Sequence, residues 1–366
     1  MGSIDERPLL RRALLNAGLL VLGVIAAVLV AETAIRIVHA FVFGHGTRYY
    51  YPIVSDPVLG WKAVENFSSW STKHDAAGNP YEVRFSTNAQ GFRLFGDPGS
   101  TRPKVLIVGD SYTHAVDAGD GDTYFSYLRK VLHWEVFAYG AGGYGTLQEY
   151  MVLDRDIDRI RPDLIIVQFA ANDFANNSFE LERRSSNNNS RYRPYLMHDG
   201  SVRLAYPART GISALLAGTR TWLASHLRIM NELFRAADIL EPRLLSLFGF
   251  TYVDPEIVAR NGDVPVFRDA IGTTTDIFRM IVRRAGKASV YAFSADDPEP
   301  YYSAFRAAAA AAGVIVIEAA PRSLEQGPDR RLFAMDRSHW SPAGHRAVGE
   351  ALAAYFIKEG LHVRSH

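Results

Sequence analysis

The period of the apolar positions changes along this chain, and each change marks an element. The longest unbroken apolar block comes first. Ala13 to Ala31 carries no charge, and only Asn16, Gly18 and Gly23 interrupt it. As a helix this block spans roughly 28 Å, close to the ~30 Å hydrocarbon core of a bilayer. Glu32 and Arg36 follow at i,i+4 spacing and can pair where the helix leaves the lipid. Arg7, Arg11 and Arg12 precede the block, which predicts a cytoplasmic N-terminus and an external remainder. A buried helix and a cleaved signal peptide are the rival readings. The block is long for a signal, and no Ala-x-Ala site follows it. The expectation is a cytoplasmic tail over 1–12 and an uncleaved single-pass anchor over 13–40 in a cytoplasmic membrane, with the rest outside it.

Residues 41–102 read as an aromatic and polar lead-in, with strand-like alternation over Tyr81–Ser86 and a turn at Asn88–Gly91. A domain over 103–360 follows. Lys104–Val108, Glu135–Ala138 and Leu164–Val167 are short apolar runs of buried-strand type. Between them, helical spacing predicts helices from about Asp122 and over Thr146–Ile160. Strands alternating with amphipathic helices predict a parallel sheet covered on both faces. The rhythm breaks after Asp173. An insertion over about 174–275 contains a hairpin turning at Asp199-Gly200 and apolar helical stretches from about Ser213 to Phe250. These stretches suit either a packed satellite or a lid over a site. The α/β rhythm resumes at Asp276, with strands at Ala288–Phe293 and Val314–Ile317, a helix over Tyr302–Ala312, and a last helix capped by Ser341 with Pro342 in its first turn.

Composition narrows the function. Formal net charge is +1, which gives no support for nucleic-acid binding. Cysteine is absent, so disulfides and thiolate chemistry are excluded.

Four separated segments supply the parts of an acyl-transfer site: Gly109-Asp110-Ser111, the glycine run ending at Gly143, Asn172-Asp173, and Asp336-Arg337-Ser338-His339. Ser111 follows a buried strand at the carboxyl edge of the sheet, where open α/β folds place ligands. A serine needs a base to take its proton, and His339 is the candidate. Asp336 can hold the other ring nitrogen of His339. The oxyanion of ester attack needs fixed donors; the N–H groups of Ser111 and Gly143 and the amide of Asn172 are the candidates. Gly-Asp-Ser and Asp-x-x-His are each common alone. Their order, with three segments just after strands, is not.

In these segments the chain resembles the SGNH hydrolase superfamily, the GDSL-type esterases and lipases. Ser111, Gly143, Asn172 and His339 match its four lettered residues, and Asp336 matches the third triad member. The stretches Val105–Thr113, Thr87–Arg93 and His339–His345 carry the likeness, which covers about Tyr81–Asp173 and Lys287–Phe356. Tyr112 stands where the family name has leucine, and Tyr139-Gly140 where many members have asparagine. That second departure leaves Gly142 as an alternative to Gly143. The resemblance implies a three-layer α/β/α fold and serine-dependent ester hydrolysis or acyl transfer, with no metal or organic cofactor. The substrate would be an acyl ester, a lipid or an acetylated envelope glycan. A vestigial binding module is a third, non-catalytic reading.

Other motifs compete. Gly140-Ala141-Gly142-Gly143-Tyr144-Gly145 has dinucleotide-binding spacing, but Gln168 and Phe169 stand where an acidic residue should hold the ribose. His339 and His345 lack metal-ligand spacing. His114 is a distant second as base. Asp110 and Asp173 are expected to hold loop N–H groups. Tyr112 and Trp340 either wall the pocket or pack.

Overall fold

The computed structural model of the protein describes residues 7–43, 52–296, 298–318 and 329–361. The first six residues of the expected tail and residues 44–51 of the expected lead-in lie outside them. The chain forms two compact units, residues 48–217 with 249–366, and residues 1–47 with 218–248.

In the larger unit three antiparallel hairpins pair β1 (Ile53–Asp56) with β2 (Gly60–Ala63), β3 (Ser68–His74) with β4 (Pro80–Ser86), and β9 (Arg193–Leu196) with β10 (Val202–Ala205). The remaining strands build the central sheet. They are β5 (Leu94–Phe95), β6 (Lys104–Gly109), β7 (Glu135–Gly140), β8 (Leu164–Phe169), β11 (Ser289–Ser294) and β12 (Ile315–Val316). Their order is β12-β11-β8-β6-β7-β5, parallel except for β5 against β7.

β7 and β8 are buried along their whole length, as expected of parallel strands covered on both faces. Alternate residues serve different cores. Leu106, Val108, Ile165 and Val167 pack with α4 (Thr146–Ile160), α10 (Pro265–Ala285) and α11 (Tyr301–Ala311). Val105, Ile107 and Ile166 pack with α3 (Tyr124–Leu132) and the last helix, α12 (Pro342–Lys358). The result is a three-layer α/β/α sandwich. The chain leaves β6 for β7 on one side and returns past it to β8 on the other. A crevice therefore opens at the carboxyl ends of these three strands.

Local chemistry sets the element ends. Thr123 Oγ1 accepts the Ser126 N–H at 3.3 Å, so α3 begins at Tyr124 rather than at Asp122. Ser341 Oγ caps α12 through Gly344 N–H at 3.3 Å. α10 begins at Pro265, earlier than the spacing suggests, because Phe267, Ala270, Ile277 and Ile281 all face the core. Tertiary burial there overrides the poor helix propensity of Gly272-Thr273-Thr274-Thr275.

The smaller unit holds α1 (Arg7–Phe43) and α8 (Arg228–Ser246), with the end of α7 (Gly211–His226) leading into it. Leu15–Ile37 in α1 is long and apolar enough to cross a membrane, with a mean hydropathy of 2.4. Glu32 Oε1 pairs with Arg36 Nε at 2.6 Å, and Glu32 Oε2 accepts the Ile229 N–H at 2.9 Å, at the first turn of α8.

Candidate active site

Ser111 opens a single helical turn, α2 (Ser111–His114), directly after β6. Asp110 caps that turn, its Oδ1 accepting the Tyr112 N–H at 3.0 Å. From β8 next door, Gln168 Oε1 accepts the N–H groups of Asp110 (3.2 Å) and Thr113 (3.1 Å) and the Thr113 hydroxyl (2.8 Å). The far end of the turn is closed by Arg93, which is buried. Its guanidinium donates to the carbonyl of His114, to Ala115 O at 2.7 Å and to Ala118 O at 3.2 Å. It also pairs with Asp120 at 3.2 Å and covers the Phe85 ring. Burial draws the Arg93 pKa down to about 10 against the pull of Asp120, so it stays charged at neutral pH. The carbonyls at the end of this short helix are thus met by a cation, the favoured charge at that end, with Ala115 O also accepting the Ala118 N–H at 3.1 Å.

Asp336 and His339 lie on a tight loop. Phe333 bridges Trp340, Ala334 N–H donates to His339 O at 2.8 Å, and Arg337 takes a left-handed φ of 62°. Asp336 Oδ1 accepts the N–H groups of Ser338 (2.9 Å) and His339 (3.0 Å). Its Oδ2 lies 2.5 Å from His339 Nδ1, and His339 Nε2 lies 2.8 Å from Ser111 Oγ. Tyr112 steadies the loop: its hydroxyl donates to Ser338 O at 3.3 Å, and its ring sits against those of His339 and Trp340. From the β3–β4 hairpin, Ala76 N–H donates to Phe333 O at 2.9 Å.

The charges favour a basic imidazole. Burial alone would lower the His339 pKa, but the hydrogen bond and charge of Asp336, with Asp110 and Asp117, raise it. Burial would raise Asp336, but His339 and the two backbone N–H groups hold it well below the ordinary carboxylate range. With Nδ1–H committed to the Asp336 carboxylate, Nε2 is left as an acceptor for the Ser111 proton.

The glycine run wraps beside Ser111. A Cβ on Gly140 would fall 2.2 Å from His114 N, so only glycine lets β7 end against the Ser111–His114 turn. Gly143 has φ +76°, and a Cβ there would meet the Asn189 side chain at about 3.1 Å. Trp61 Nε1 donates to Gly142 O at 3.1 Å. In a trans peptide this holds the Gly143 N–H on the opposite side. Arg193 Nη2 donates to Gly143 O at 2.8 Å and pairs with buried Glu182 at 2.8 Å. Among the described residues, neither Ser111 N–H nor Gly143 N–H has an acceptor. Asn172, which starts α5 (Asn172–Asn177), aims its amide at Asn176 Oδ1 (3.0 Å) and Asp110 Oδ2 (3.5 Å). Ser111 Oγ is 3.5 Å from that same Asp110 oxygen.

The other residues singled out from sequence fall into place. His345 is buried, stacked on Tyr124 and drawn down to about 3 by burial. His114 is buried edge-on to Phe85, with burial pulling its pKa well down. Asp173 Oδ2 accepts the Ala170 N–H at 3.3 Å and lies 3.4 Å from Thr146 Oγ1. Tyr112 and Trp340 pack the histidine loop. Asp110 does more than hold backbone, since its Oδ2 sits between Ser111 and Asn172. Asp117, Asp336 and His339 place ligand atoms within 4.8 Å of one another. However, both His339 nitrogens are engaged, and Lys73 Nζ already pairs with Asp117 at 2.7 Å, a donor set poorly suited to a cation.

Sequence reasoning passed over Trp61, Lys73, Arg93, Asp117 and Arg193, and treated Gln168 only as a misplaced ribose ligand. A polar residue ending a buried strand was the one local signal, at Gln168. Beside Ala171 a cleft of about 660 Å³ opens, walled by Tyr252, Asp254, Pro255, Val258, Pro298 and Tyr301.

The profile of the GDSL-like lipase/acylhydrolase family matches residues 107–347. Solved structures similar to this chain include TesA, at 12% identity and a TM-score of 0.39, covering 70% of this chain and 98% of that one. A lipase/acylhydrolase from Enterococcus faecalis has 12% identity and a TM-score of 0.39, covering 72% and 99%. A two-domain esterase active on acetylated mannans has 10% identity and a TM-score of 0.38, covering 74% and 55%. A search of curated protein sequences finds no match. With the family profile spanning most of the sheet and all four segments of the site, the chain belongs to the GDSL-like lipase/acylhydrolase family, the SGNH hydrolases, and is a carboxylic ester hydrolase or acyltransferase.

Proposed function

We propose that the protein is a membrane-anchored serine esterase whose catalytic unit works outside the cytoplasmic membrane. Ser111 attacks the ester carbonyl, and His339 Nε2 takes its proton and returns it to the leaving alcohol. Asp336 fixes the tautomer and stabilises the imidazolium. The N–H groups of Ser111 and Gly143 and the Asn172 amide receive the oxyanion. Water then enters, His339 activates it, and the acid is released from Ser111.

The observation that carries this reading is the unbroken line from Ser111 Oγ through His339 to Asp336, at 2.8 and 2.5 Å, between loops far apart in the chain. The side chains of His339 and Asp336 remain 32% and 48% exposed, so water can reach an acyl-enzyme, which favours hydrolysis over transfer. The 23-residue apolar helix and the arginines before it support the anchor and its orientation.

The test uses the full chain in detergent with a short activated ester. Ser111→Ala is expected to lower kcat at least about a thousandfold. Unchanged turnover removes the mechanism. Product analysis with an added acetylatable glycan separates transfer from hydrolysis: appearance of an acylated glycan in place of free acid makes the protein a transferase.

A further inference from the structure

The smaller unit contains an apolar surface that the ester chemistry does not use. On α8, Leu233, Ala236, Ala237, Leu240 and Leu244 are all exposed, and so is Leu247 at its C-cap. Leu244 is 60% exposed, Leu247 78%, and Phe248, just past the helix end, 88%. At 100° per residue these positions share one face, so α8 presents solvent with an apolar stripe along its length. Trp222, in the part of α7 that belongs to this unit, is also exposed. Isolated exposed leucines are ordinary; a continuous stripe of them marks a surface that something covers.

Its neighbour in the same unit identifies the cover. Glu32 sits near the end of the apolar span of α1 and binds both Arg36 and the first turn of α8. A charged residue with such partners belongs at the water-facing boundary of a bilayer, not in its centre. α8 therefore starts at the depth where α1 leaves the hydrocarbon. It is too charged to cross: three arginines and three carboxylates lie within Arg228–Ser246. A helix with one apolar face and one charged face, held at that depth, lies in the interface plane.

We propose, building on the anchored reading above, that α8 is a second, in-plane membrane contact. Its Leu233-Leu240-Leu244-Leu247 face and Phe248 rest in the lipid beside α1, with Trp222 at headgroup level. The anchor and α8 together then hold the smaller unit by an L-shaped contact rather than a single pivot. Because arginines and carboxylates nearly balance, apolar burial and not anionic lipid supplies the attraction, and the contact persists in high salt.

The absence of cysteine makes the test direct. Full chains carrying Val24→Cys, Leu244→Cys or Ser246→Cys are labelled with an environment-sensitive fluorophore. They are then reconstituted in phosphatidylethanolamine–phosphatidylglycerol vesicles. Ser246 is exposed and lies about 200° around the helix from Leu244. The Val24 label should be quenched best by a spin label deep in the acyl chains. The Leu244 label should be quenched by one near the headgroups, equally at low and high salt. The Ser246 label should respond to aqueous iodide. Iodide quenching at Leu244 with deep quenching at Val24 overturns the in-plane contact and leaves the anchor standing. A Leu244 label shielded from both lipid and iodide shows a protein cover and overturns it as well. Loss of lipid quenching at high salt overturns the apolar basis. Iodide quenching at Val24 overturns the anchored reading itself.

Discussion

Lys73 Nζ lies 2.7 Å from Asp117 Oδ1, and that carboxylate lies within 4.8 Å of both Asp336 and His339. A lysine from the β3–β4 hairpin therefore offsets a second carboxylate beside the proposed base. The groups around the imidazole are Asp336, Asp110 and Asp117, with the Tyr112 ring and the Ser111 hydroxyl in contact.

This arrangement sets the pH dependence. The base must be neutral to accept a proton, so kcat/KM rises with pH through the His339 pKa, which stands above the ordinary histidine value. Asp117→Asn removes a negative charge that favours imidazolium, so the acid limb moves to lower pH. Lys73→Met removes the opposing cation and moves it to higher pH. A pH profile of kcat/KM for the three proteins checks both signs; shifts in the same direction contradict the electrostatic account.

Trp61 orients the Gly143 peptide through Gly142 O at 3.1 Å without being placed at the reacting atoms. Trp61→Phe keeps the ring and loses the donor. The expected effect is a fall in kcat on the order of tenfold with KM little changed, smaller than the 10²–10³ cost of removing an oxyanion donor itself. Steady-state kinetics on a short ester decide the point; a rise in KM alone assigns Trp61 to substrate binding instead.

Asn172→Ala removes one of the proposed oxyanion donors. It should lower kcat by roughly 10²–10³ with a smaller loss of stability than Arg93→Met, because Asn172 is half-buried and only the buried Asn176 Oδ1 loses its donor. Equal losses in kcat and stability make its role structural.

Arg93 is a stability residue. Arg93→Met leaves the carbonyls of His114 and Ala118 without their side-chain donor in a buried place, and leaves Ala115 O with the Ala118 N–H alone. A cost of at least about 2 kcal/mol follows from the desolvation of unpaired groups. Denaturant unfolding measures it. A midpoint unchanged from wild type contradicts the capping role.

Much of the sandwich was readable because burial on both faces writes continuous apolar runs such as Lys104–Val108, and because Ser341-Pro342 is a local cap. Three of the four candidate segments were readable because each follows a strand, and the sheet itself delivers strand ends to one rim; Asp336–His339 lies on a loop well past β12, and only its Asp-x-x-His spacing pointed to it. Trp61, Lys73, Arg93 and Arg193 were not readable. Each acts across the lead-in or the insertion on residues far away in sequence, and no periodicity encodes such a contact. The run Gly140–Gly145 shows the converse. Its spacing mimics a phosphate loop, yet Gly140 is glycine because the Ser111–His114 turn presses on it.

The most direct measurement is mass spectrometry of the full-length protein after reaction with a fluorophosphonate. An activated serine beside an oxyanion pocket forms a single stable adduct. The account predicts one adduct per chain, on the peptide containing Ser111, and none in Ser111→Ala or His339→Ala. An unlabelled wild-type protein, or an adduct on another serine, contradicts it.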